Sequence, residues 1–425
     1  DLQKRIDHIM QHQLYGIAIT RLTALMSRRS LYCSKDANCK YSLSHFDDAD
    51  GNIHFDEILH TWQNGKCIYC GASQEVYDRG EELETHAYEF IHTANPKKLY
   101  NNMTFDVIIG NPPYQLGDGG QAASSKPLYN YFVEQARKLK PRYLSMIIPA
   151  RWYAGGKGLD AFRNDMLNCN HIRTLVDFNN SADCFPGVNL AGGVCYFLWD
   201  REYEGECEIK NSIKNDQFDC EKRSLKEYPV LVRNNTAIHI IRKMLINKQT
   251  IDKQVCSYSY FAIRSYERGT KTKQQNDDVV LLSSQGKGFY SKSLITDREG
   301  ILSKYKVIIT YAMSGGNKPT QNGDYQVVSS LQILQPNEVC TETYLVLGVF
   351  DDKAKAMNMC KYITTKTFRF LLLQALTSIH ITKDSFQFVP LQDFSKPWTD
   401  EELYKKYNLT EEEIAFIESM IRPME

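Results

Sequence analysis

The chain has 425 residues, and its 51 Lys and Arg residues balance 51 Asp and Glu residues, so the formal net charge is zero. This balance excludes a uniformly basic nucleic-acid coat protein and an acidic tail protein, although it leaves room for a local basic surface. The length predicts two or three domains, and the 42% hydrophobic and 24% charged residues are typical of a globular protein.

Neither a membrane segment nor a secretory signal is predicted from the sequence. No run of 18 apolar residues occurs, and the first five residues are polar or charged apart from one leucine. The 12 cysteines are too sparse for a disulfide scaffold. We therefore expect a cytoplasmic protein in a reducing compartment, with no membrane as a partner.

The first regular elements are a short strand over residues 14–19 and a helix over 20–31. The helical spacing predicts that Leu22, Ala24, Leu25 and Leu31 face inward, and that Arg28 and Arg29 face outward. A polar, acidic stretch over residues 33–75 follows. Such a stretch needs an additional constraint to fold as an insert.

Two cysteine pairs lie in this insert, Cys33 with Cys39 and Cys67 with Cys70. A Cys-x-x-Cys followed by glycine lets both sulfurs face one point, which suits a tetrahedral zinc ion. The two pairs together predict a closed four-thiolate site of structural type. Unrelated thiols and a redox Cys-x-x-Cys are the alternatives, and His60 is a reserve ligand.

From residue 105 onward, nearly continuous apolar strands alternate with helices. This pattern predicts a doubly wound α/β sheet, and the alternation ends near residue 200. The predicted strands cover 105–110, 142–148, 172–178 and 193–199, and the predicted helices cover 128–139 and 159–167.

The pattern changes after residue 230 to short β-like runs with glycine-rich turns. Residues 230–330 contain 15 Lys and Arg residues against 7 Asp and Glu residues, an excess of eight positive charges. We expect a second, α+β domain here, followed by an acidic helical tail with two capping boxes. The predicted short strands are 279–282, 307–310 and 325–328, and the predicted domains are 1–228, 229–395 and 396–425.

The segment with the clearest chemistry is Asn111-Pro112-Pro113-Tyr114, directly after the strand at 105–110. In an open α/β sheet, ligands bind at the carboxyl ends of the strands. The prolines make the backbone rigid and remove two donors, so that carbonyl groups are free to accept hydrogen bonds. The Asn111 amide oxygen and the Pro112 carbonyl can hold both N–H groups of a planar amine. Tyr114 offers a ring on which a base can stack.

Residues 105–114 resemble motif IV of amino-methyltransferases that use S-adenosylmethionine. More narrowly, the chain resembles the γ-class N6-adenine DNA methyltransferases of bacterial restriction–modification systems, in which a target-recognition domain follows the catalytic domain. Three further segments carry this resemblance, namely residues 127–132, 144–150 and 184–188.

The resemblance implies methyl transfer from S-adenosylmethionine to N6 of an adenine that is flipped out of duplex DNA, since N6 cannot be reached inside the stack. It implies that Phe185 packs on the flipped base together with Tyr114. The acid–aromatic pair Glu89 and Phe90 is similar to the pair beside the cofactor adenine, and Asn111 and Pro113 would also line the cofactor.

Two features depart from the family pattern. The glycine-rich cofactor loop expected upstream of residue 14 is missing, and no acid for the ribose hydroxyls occurs near residues 19–21. The glycines of 117–120 and 155–158 are weak phosphate-loop lookalikes. We therefore expect the C-terminal part of a longer product or a split polypeptide, completed by an N-terminal portion or a restriction subunit.

The resemblance also assigns target recognition to residues 229–395. Basic side chains there would neutralise phosphates of double-stranded DNA. The first alternative is an amino-methyltransferase acting on RNA or on a protein glutamine. The second is a cofactor-incompetent DNA-reading fragment that needs a partner. The candidate DNA contacts are Arg264, Arg268, Lys271, Lys273 and Lys318.

Overall fold

The computed structural model describes most of the chain and divides it into two compact units. The first unit comprises Asp1–Ile148, His171–Arg173 and Tyr196–Glu204, and the second comprises Pro149–Asn170, Thr174–Cys195 and Gly205–Glu425. The described residues are 1–78, 86–116, 126–188, 190, 192–213, 217–313, 319–320, 322–376 and 379–424.

The first 78 residues form several short elements and two longer helices, the second of which is α2 (Arg21–Tyr32). Thr20 begins that helix with a capping box, in which its hydroxyl accepts from the Thr23 backbone N–H. β1 and β2 pair in parallel, while β3 and β4 form an antiparallel hairpin. The elements are α1 (Leu2–His12), β1 (Gly16–Ile17), α2 (Arg21–Tyr32), β2 (Ile53–His54), β3 (Trp62–Gln63), β4 (Lys66–Cys67) and α3 (Gln74–Tyr77).

The predicted helix is confirmed as α2, and Ala24 is buried and Arg29 exposed as predicted, but the predictions for Leu22 and Arg28 are wrong. Leu22 is 66% exposed and Arg28 is only 7% exposed. The Arg28 guanidinium donates to the Ile53 carbonyl and pairs with Asp50 at 2.6 Å. Arg28 is therefore buried because it closes the end of β2, a tertiary contact that helical spacing does not reveal.

The central sheet has six strands in the order β10-β9-β7-β8-β6-β5. β5 runs parallel to β6, β7 runs parallel to β9, and β9 runs antiparallel to β10, so the sheet is mixed. The alternation of strands with α-helices has ended by residue 200 as predicted, but the sheet itself continues with β9 and β10. The elements are β5 (Val107–Gly110), α4 (Tyr129–Lys138), β6 (Tyr143–Pro149), α5 (Asp160–Leu167), β7 (Ile172–Phe178), β8 (Val194–Asp200), β9 (Cys207–Ser212) and β10 (Phe218–Arg223).

β5 lies at the edge of this sheet. Its side chains at Val107 and Ile109 are 56% and 78% exposed although both are apolar. An edge strand presents unpaired backbone groups, and exposed apolar side chains on such a strand are uncommon unless another segment covers them.

Beyond the central sheet, two three-stranded sheets and several helices surround two apolar cores. Their orders are β12-β11-β15 and β14-β13-β16. The elements are α6 (Asn235–Met244), β11 (Val279–Ser283), β12 (Gly286–Tyr290), β13 (Tyr305–Thr310), β14 (Leu331–Leu334), β15 (Glu338–Cys340), β16 (Tyr344–Phe350), α7 (Lys353–Thr364), α8 (Lys366–Ala375), α9 (Asp400–Lys406) and α10 (Glu411–Met420).

The predictions for this part of the chain are mostly confirmed at the level of elements. The runs at 279–282 and 307–310 are strands, and Thr399 and Thr410 each form the predicted capping box. The strand predicted at 325–328 is wrong. Tyr325 makes a single parallel bridge, and Val328 has a φ of +66°, which interrupts an extended strand. The boundaries at 228 and 395 stay predictions.

Short 3-10 helices connect many of these elements, and none of the helices in the described ranges is long and apolar enough to cross a membrane. The 3-10 helices are Glu89–Ile91, Pro96–Tyr100, Ala150–Tyr153, Ser181–Asp183, Ile251–Lys253, Lys292–Leu294 and Lys383–Phe386.

Candidate active site and metal cluster

The Asn-Pro-Pro-Tyr turn begins where β5 ends, as the sequence predicts. Asn111 is exposed, Pro112 is buried, and Pro113 and Tyr114 are half-buried. The Leu128 N–H donates to the Tyr114 carbonyl at 3.1 Å, immediately before α4 begins. The turn is therefore attached to the start of α4, while the Asn111 side chain faces solvent.

The chain just beyond the turn is held by a second backbone contact. The Leu116 N–H donates to the Lys126 carbonyl at 2.9 Å, and Gln115 forms an antiparallel bridge with Pro127. The glycines of 117–120 lie outside the described residues. Residues 115–116 and 126–127 therefore lie side by side next to the start of α4.

The predicted acid–aromatic pair lies in the 3-10 helix Glu89–Ile91. Glu89 is half-buried, and burial together with repulsion from Asp56 raises the pKa of its carboxyl group. The Phe90 ring is 6% exposed and packs against Phe132 of α4, with ring centroids 5.9 Å apart. The structure thus leaves Glu89 partly accessible to solvent and places Phe90 in the core.

A cleft of about 280 Å³ opens between the start of α2, the residues after β2 and the segment that precedes Glu89. The cleft contains an acidic residue, Glu57, together with residues 19–21, where the sequence shows no acid for the ribose hydroxyls. Sequence reasoning missed Glu57 because the parallel pairing of β1 with β2 joins two distant parts of the chain. The lining residues are Ile19, Thr20, Arg21, Leu22, Phe55, Glu57, His86, Ala87 and Tyr88.

Phe185 lies in a loop that Ser181 organises. The Ser181 hydroxyl donates to the Val188 carbonyl at 2.7 Å and accepts from the Leu190 N–H at 2.8 Å. The Phe185 N–H donates to the Ser181 carbonyl at 2.7 Å. Phe185 is half-buried, whereas the following residues, 186–188, are exposed.

A buried ion pair fixes both ends of this loop, and the sequence analysis did not identify it. Arg233 donates to both carboxylate oxygens of Asp177, at 2.5 and 2.8 Å, and also to the carbonyls of Phe178 and Gly192. Tyr153 donates to Asp177 at 2.9 Å. Burial alone would lower the pKa of Arg233, but the adjacent Asp177 raises it above its ordinary value.

The four predicted zinc ligands are not brought together. Cys67 and Cys70 lie instead with His60, the reserve ligand, and with His92, which the sequence analysis missed. Cys33 is exposed and ends α2 in a left-handed conformation, and the Cys39 thiol contacts the Ser34 hydroxyl at 2.9 Å. The predicted four-cysteine ligand set is therefore wrong in its first pair.

The pKa values in this cluster favour uncharged side chains. Burial raises the pKa of the Cys70 thiol to about 12, with smaller contributions from Cys67. Burial also lowers the pKa of His92 to about 4, and the neighbouring His60 adds to this effect. A lone charge on either side chain would thus be disfavoured in this environment.

The candidate DNA-contacting segment, residues 264–273, is largely at the surface. Arg264 pairs with Glu342 at 3.3 Å, and Arg268 donates to the Glu267 carbonyl at 2.9 Å. Lys271 and Lys273 are exposed. Lys318 lies outside the described residues.

Backbone hydrogen bonds hold the middle of this segment against β12. Thr270 and Phe289 exchange two of them, each at 2.8 Å. Gly269 has a φ of +71°, and a Cβ there would clash with the Phe289 carbonyl. Glycine at this position therefore allows the basic segment to lie directly on the strand.

An α/β sheet with a strand that ends in Asn-Pro-Pro-Tyr is the arrangement expected from the resemblance to amino-methyltransferases. In agreement, residues 12–185 match the sequence model of the Eco57I restriction-modification methylase. This part of the chain is therefore similar to that family.

A curated relative from Mycoplasma pneumoniae (strain ATCC 29342 / M129 / Subtype 1) bears the name "Uncharacterized adenine-specific methylase". It is 34% identical over 273 residues, which are 58% of this chain and 64% of that protein. The chain thus spans less than two thirds of the relative's length.

Solved structures similar to the chain include a DrdV–DNA complex (TM-score 0.44, 10% identity, 92% of this chain and 50% of that chain). Another is a nuclease-deletion mutant of the Type ISP enzyme LlaGI with a DNA substrate mimic (TM-score 0.41, 11% identity, 87% and 40%). A third is the type IIG restriction endonuclease BpuSI (TM-score 0.33, 11% identity, 72% and 49%). The chain spans half or less of each of these proteins, and the TM-scores are too low to support a functional argument.

Proposed function

We propose that the chain acts in a restriction–modification system as a site-specific DNA methyltransferase. The reaction is transfer of a methyl group from S-adenosylmethionine to N6 of an adenine flipped out of duplex DNA. The observation that carries the proposal is the Asn111–Tyr114 turn, which presents an exposed amide at the carboxyl end of β5 within the segment that matches the methylase family. The relative named as an adenine-specific methylase supports the choice of adenine.

The turn can bind an exocyclic amine without a charged base. The Asn111 side-chain oxygen and the Pro112 carbonyl accept its two N–H groups, which draws the nitrogen lone pair out of conjugation with the ring. Proline supplies no competing N–H donor. Tyr114 stacks on the base, a contact worth about 1–3 kcal/mol. That contact offsets part of the unstacking cost of base flipping, and Phe185 is the candidate second ring.

The cleft beside α2 has a composition that fits the adenosine part of the cofactor. Phe55 and Ile19 provide apolar walls, and the Glu57 carboxylate is available to the ribose hydroxyls. Glu89, Phe90, Asn111 and Pro113 are the cofactor residues implied by the resemblance. When bound, S-adenosylmethionine supplies the electrophilic methyl group, and the residues of this chain orient the acceptor amine.

The free edge of β5 is the place where a segment bearing the glycine-rich loop would add. Val107 and Ile109 are exposed there, and the backbone of an edge strand accepts a further strand. A completing N-terminal portion or a restriction subunit would cover these side chains. We therefore propose that full cofactor affinity depends on such an added strand.

The basic region at 230–330 is the proposed target-recognition surface for double-stranded DNA. Its excess of eight positive charges suits phosphate contacts, which orient a protein on DNA without reading its sequence. Lys271, Lys273 and Arg264 are exposed candidates in the described part of this region, and Arg264 also pairs with Glu342.

The proposed function is tested by incubating the purified chain with radiolabelled S-adenosylmethionine and duplex DNA, single-stranded DNA, RNA or protein. We expect label in duplex DNA, recovered as N6-methyladenine by nucleoside chromatography. Label found only in RNA or in protein glutamine would overturn the DNA assignment.

Calorimetric titration with S-adenosylmethionine separates an enzyme from a DNA-reading fragment. Micromolar binding by the chain alone would reject the fragment alternative. Specific DNA binding without cofactor binding would favour the DNA-reading fragment. The titration would then be repeated in the presence of the completing N-terminal portion or restriction subunit, which tests the proposed added strand.

A further inference from the structure

Two parts of the first unit meet at a cluster of two thiols and two imidazoles, formed by His60, Cys67, Cys70 and His92. One potential ligand atom from each side chain lies within 4.8 Å of all the others. His60 Nδ1 is 3.1 Å from His92 Nε2 and 3.5 Å from Cys70 Sγ. All but His92 are buried.

We propose that these four side chains bind a structural zinc ion in tetrahedral geometry. Zinc bonds of about 2.0–2.1 Å to nitrogen and about 2.3 Å to sulfur place the ligands of a tetrahedron about 3.3–3.8 Å apart. The separations in the cluster span this range, so small side-chain adjustments suffice. Four protein ligands leave no open position, which is the arrangement of structural rather than catalytic zinc.

The hairpin β3–β4 presents the two thiols in the way that zinc knuckles require. Asn64 and Gly65 both have positive φ values and make its tight turn, and Trp62 pairs with Cys67. Beyond β4, the Gly71 N–H donates to the Cys67 carbonyl at 2.8 Å. This closed turn directs both sulfurs to the same side.

Gly71 contributes to the site through its conformation and its lack of a side chain. Its φ is +67°, and a Cβ there would collide with the Lys126 ammonium group. The Lys126 ammonium group thus lies directly beside the residue that follows Cys70. Glycine after the second cysteine therefore both completes the turn and admits a positive charge.

His92 is oriented by its second ring nitrogen. Nδ1 lies 2.7 Å from the Tyr88 carbonyl and 3.1 Å from the Tyr88 N–H. When Nδ1 donates along the shorter contact, the lone pair of Nε2 points into the cluster. A ring N–H donated to a backbone carbonyl is the usual way in which proteins fix the tautomer of a zinc-binding histidine.

The charges also balance with a divalent ion. Two thiolates and two neutral imidazoles cancel the charge of Zn²⁺, so the buried site has no net charge. Thiolate and imidazole together favour zinc over magnesium or calcium, which prefer oxygen ligands. The buried position of both cysteines argues against a redox pair, which needs accessible, acidic thiols.

The proposed ion would join the hairpin to the segment at 86–92. That segment includes the 3-10 helix Glu89–Ile91 and ends at the ligand His92. Zinc would thus fix the position of Glu89 and of the cleft residues 86–88 without contacting either. The role is positional, and the presence of the ion does not depend on the proposed methyltransferase activity.

The metal content of the full chain tests this proposal. The chain is expressed in zinc-supplemented medium, purified without chelators and analysed by inductively coupled plasma mass spectrometry. We expect one zinc ion per chain in the wild type and at least a tenfold loss in the Cys70→Ser and His92→Gln variants. The matched controls Cys33→Ser and His45→Gln change an exposed cysteine and an exposed histidine, and they should retain zinc.

Cobalt substitution keeps the test decisive if a variant fails to fold. Co²⁺ added to zinc-depleted wild-type chain should give the intense visible bands of a tetrahedral ion and a thiolate charge-transfer band, and Zn²⁺ should abolish both. A folded wild-type chain without zinc and without these bands overturns the proposal. Loss of zinc in Cys33→Ser, with retention in His92→Gln, would also overturn it and restore the four-cysteine site.

Discussion

The turn at 111–114 and the network of Asp177, Arg233 and Tyr153 use polar groups in opposite ways. Asn111 is exposed at the end of an edge strand. Asp177 is 1% exposed, and its carboxylate is engaged by both Arg233 and Tyr153. Polar groups that satisfy one another stabilise the fold, whereas exposed groups on a rigid turn remain available to a substrate.

This comparison predicts that the two regions fail differently when mutated. Substitutions in the buried network should lower the free energy of unfolding, and substitutions at the turn should lower the rate of reaction only. Substitutions at Glu57, in the basic segment and at Glu89 should have effects between these two extremes.

Arg233→Ala should have the largest effect, because it leaves the Asp177 carboxylate buried without its cation. Removing one partner of a buried ion pair costs about 3–5 kcal/mol. The measurement is the free energy of unfolding from urea titration. Arg242→Ala is the matched control, since Arg242 pairs with Glu227 at a more exposed position, where such pairs contribute about 0–1 kcal/mol. Equal losses in both variants would contradict the contrast between buried and exposed groups.

Asn111→Ala should reduce the methylation rate by about 10²–10³-fold, the effect typical of losing one group that binds a reacting centre. Its free energy of unfolding should change by less than about 0.5 kcal/mol, because the side chain is exposed. Initial rates at saturating DNA and urea titrations measure the two quantities. Asn247→Ala replaces another exposed asparagine and should affect neither. A parallel loss of stability would show that the turn is structural.

Glu57→Gln should weaken binding of S-adenosylmethionine by about 10–100-fold. Hydrogen bonds to a charged group contribute about 1.5–3 kcal/mol, and the neutral amide loses most of this. Calorimetric titration measures the dissociation constant, with Asp47→Asn as the control at an exposed acid. Unchanged affinity would place the ribose outside this cleft.

Lys271→Ala combined with Lys273→Ala should make DNA binding less dependent on salt. Each lost phosphate contact reduces the slope of log K against log salt concentration by about 0.9, so the double variant should lose roughly 2. Fluorescence anisotropy over a salt series gives the slope. The pair Lys353→Ala and Lys355→Ala, exposed but outside the basic region, should leave it unchanged.

The parts of the molecule that the sequence predicted are those encoded by neighbouring residues. The turn at 111–114 follows from one apolar strand and two prolines, and the capping box at Thr399 follows from two residues three positions apart. The proximity of Cys67 and Cys70 likewise follows from their own spacing. None of these depends on how distant segments meet.

The residues that the sequence did not reveal depend on tertiary pairing. Glu57 enters the cleft only because β2 pairs with β1, and His92 reaches the cysteines only because a 3-10 helix precedes it. The Asp177–Arg233 ion pair joins residues far apart in the chain. Cys33 and Cys39 matched the expectation of a second cysteine pair, but α2 ends at Cys33 and leaves it exposed.

Glu89 combines the two kinds of polar group, because it is half-buried like a stabilising group and is also a candidate cofactor-binding residue. Burial raises the pKa of its carboxyl group in the folded chain, and the charge of Asp56 adds to the shift. The folded state therefore binds the Glu89 proton more tightly than the unfolded state, in which the pKa is about 4.3. The resulting stability is present below that pKa and is lost as pH rises through the folded-state pKa.

Glu89→Gln removes this pH-dependent loss, since glutamine is uncharged at every pH. The variant should have a slightly higher Tm than the wild type at pH 7 and the same Tm near pH 4, while its affinity for S-adenosylmethionine falls. Glu204→Gln, at an exposed acid, should show neither change. Thermal unfolding at the two pH values and calorimetric titration measure both effects. A Tm that falls at pH 7 would mean that the Glu89 carboxylate stabilises the fold. Glu89 would then belong with the buried stabilising groups rather than with the exposed binding groups, and we would exclude it from the proposed cofactor site.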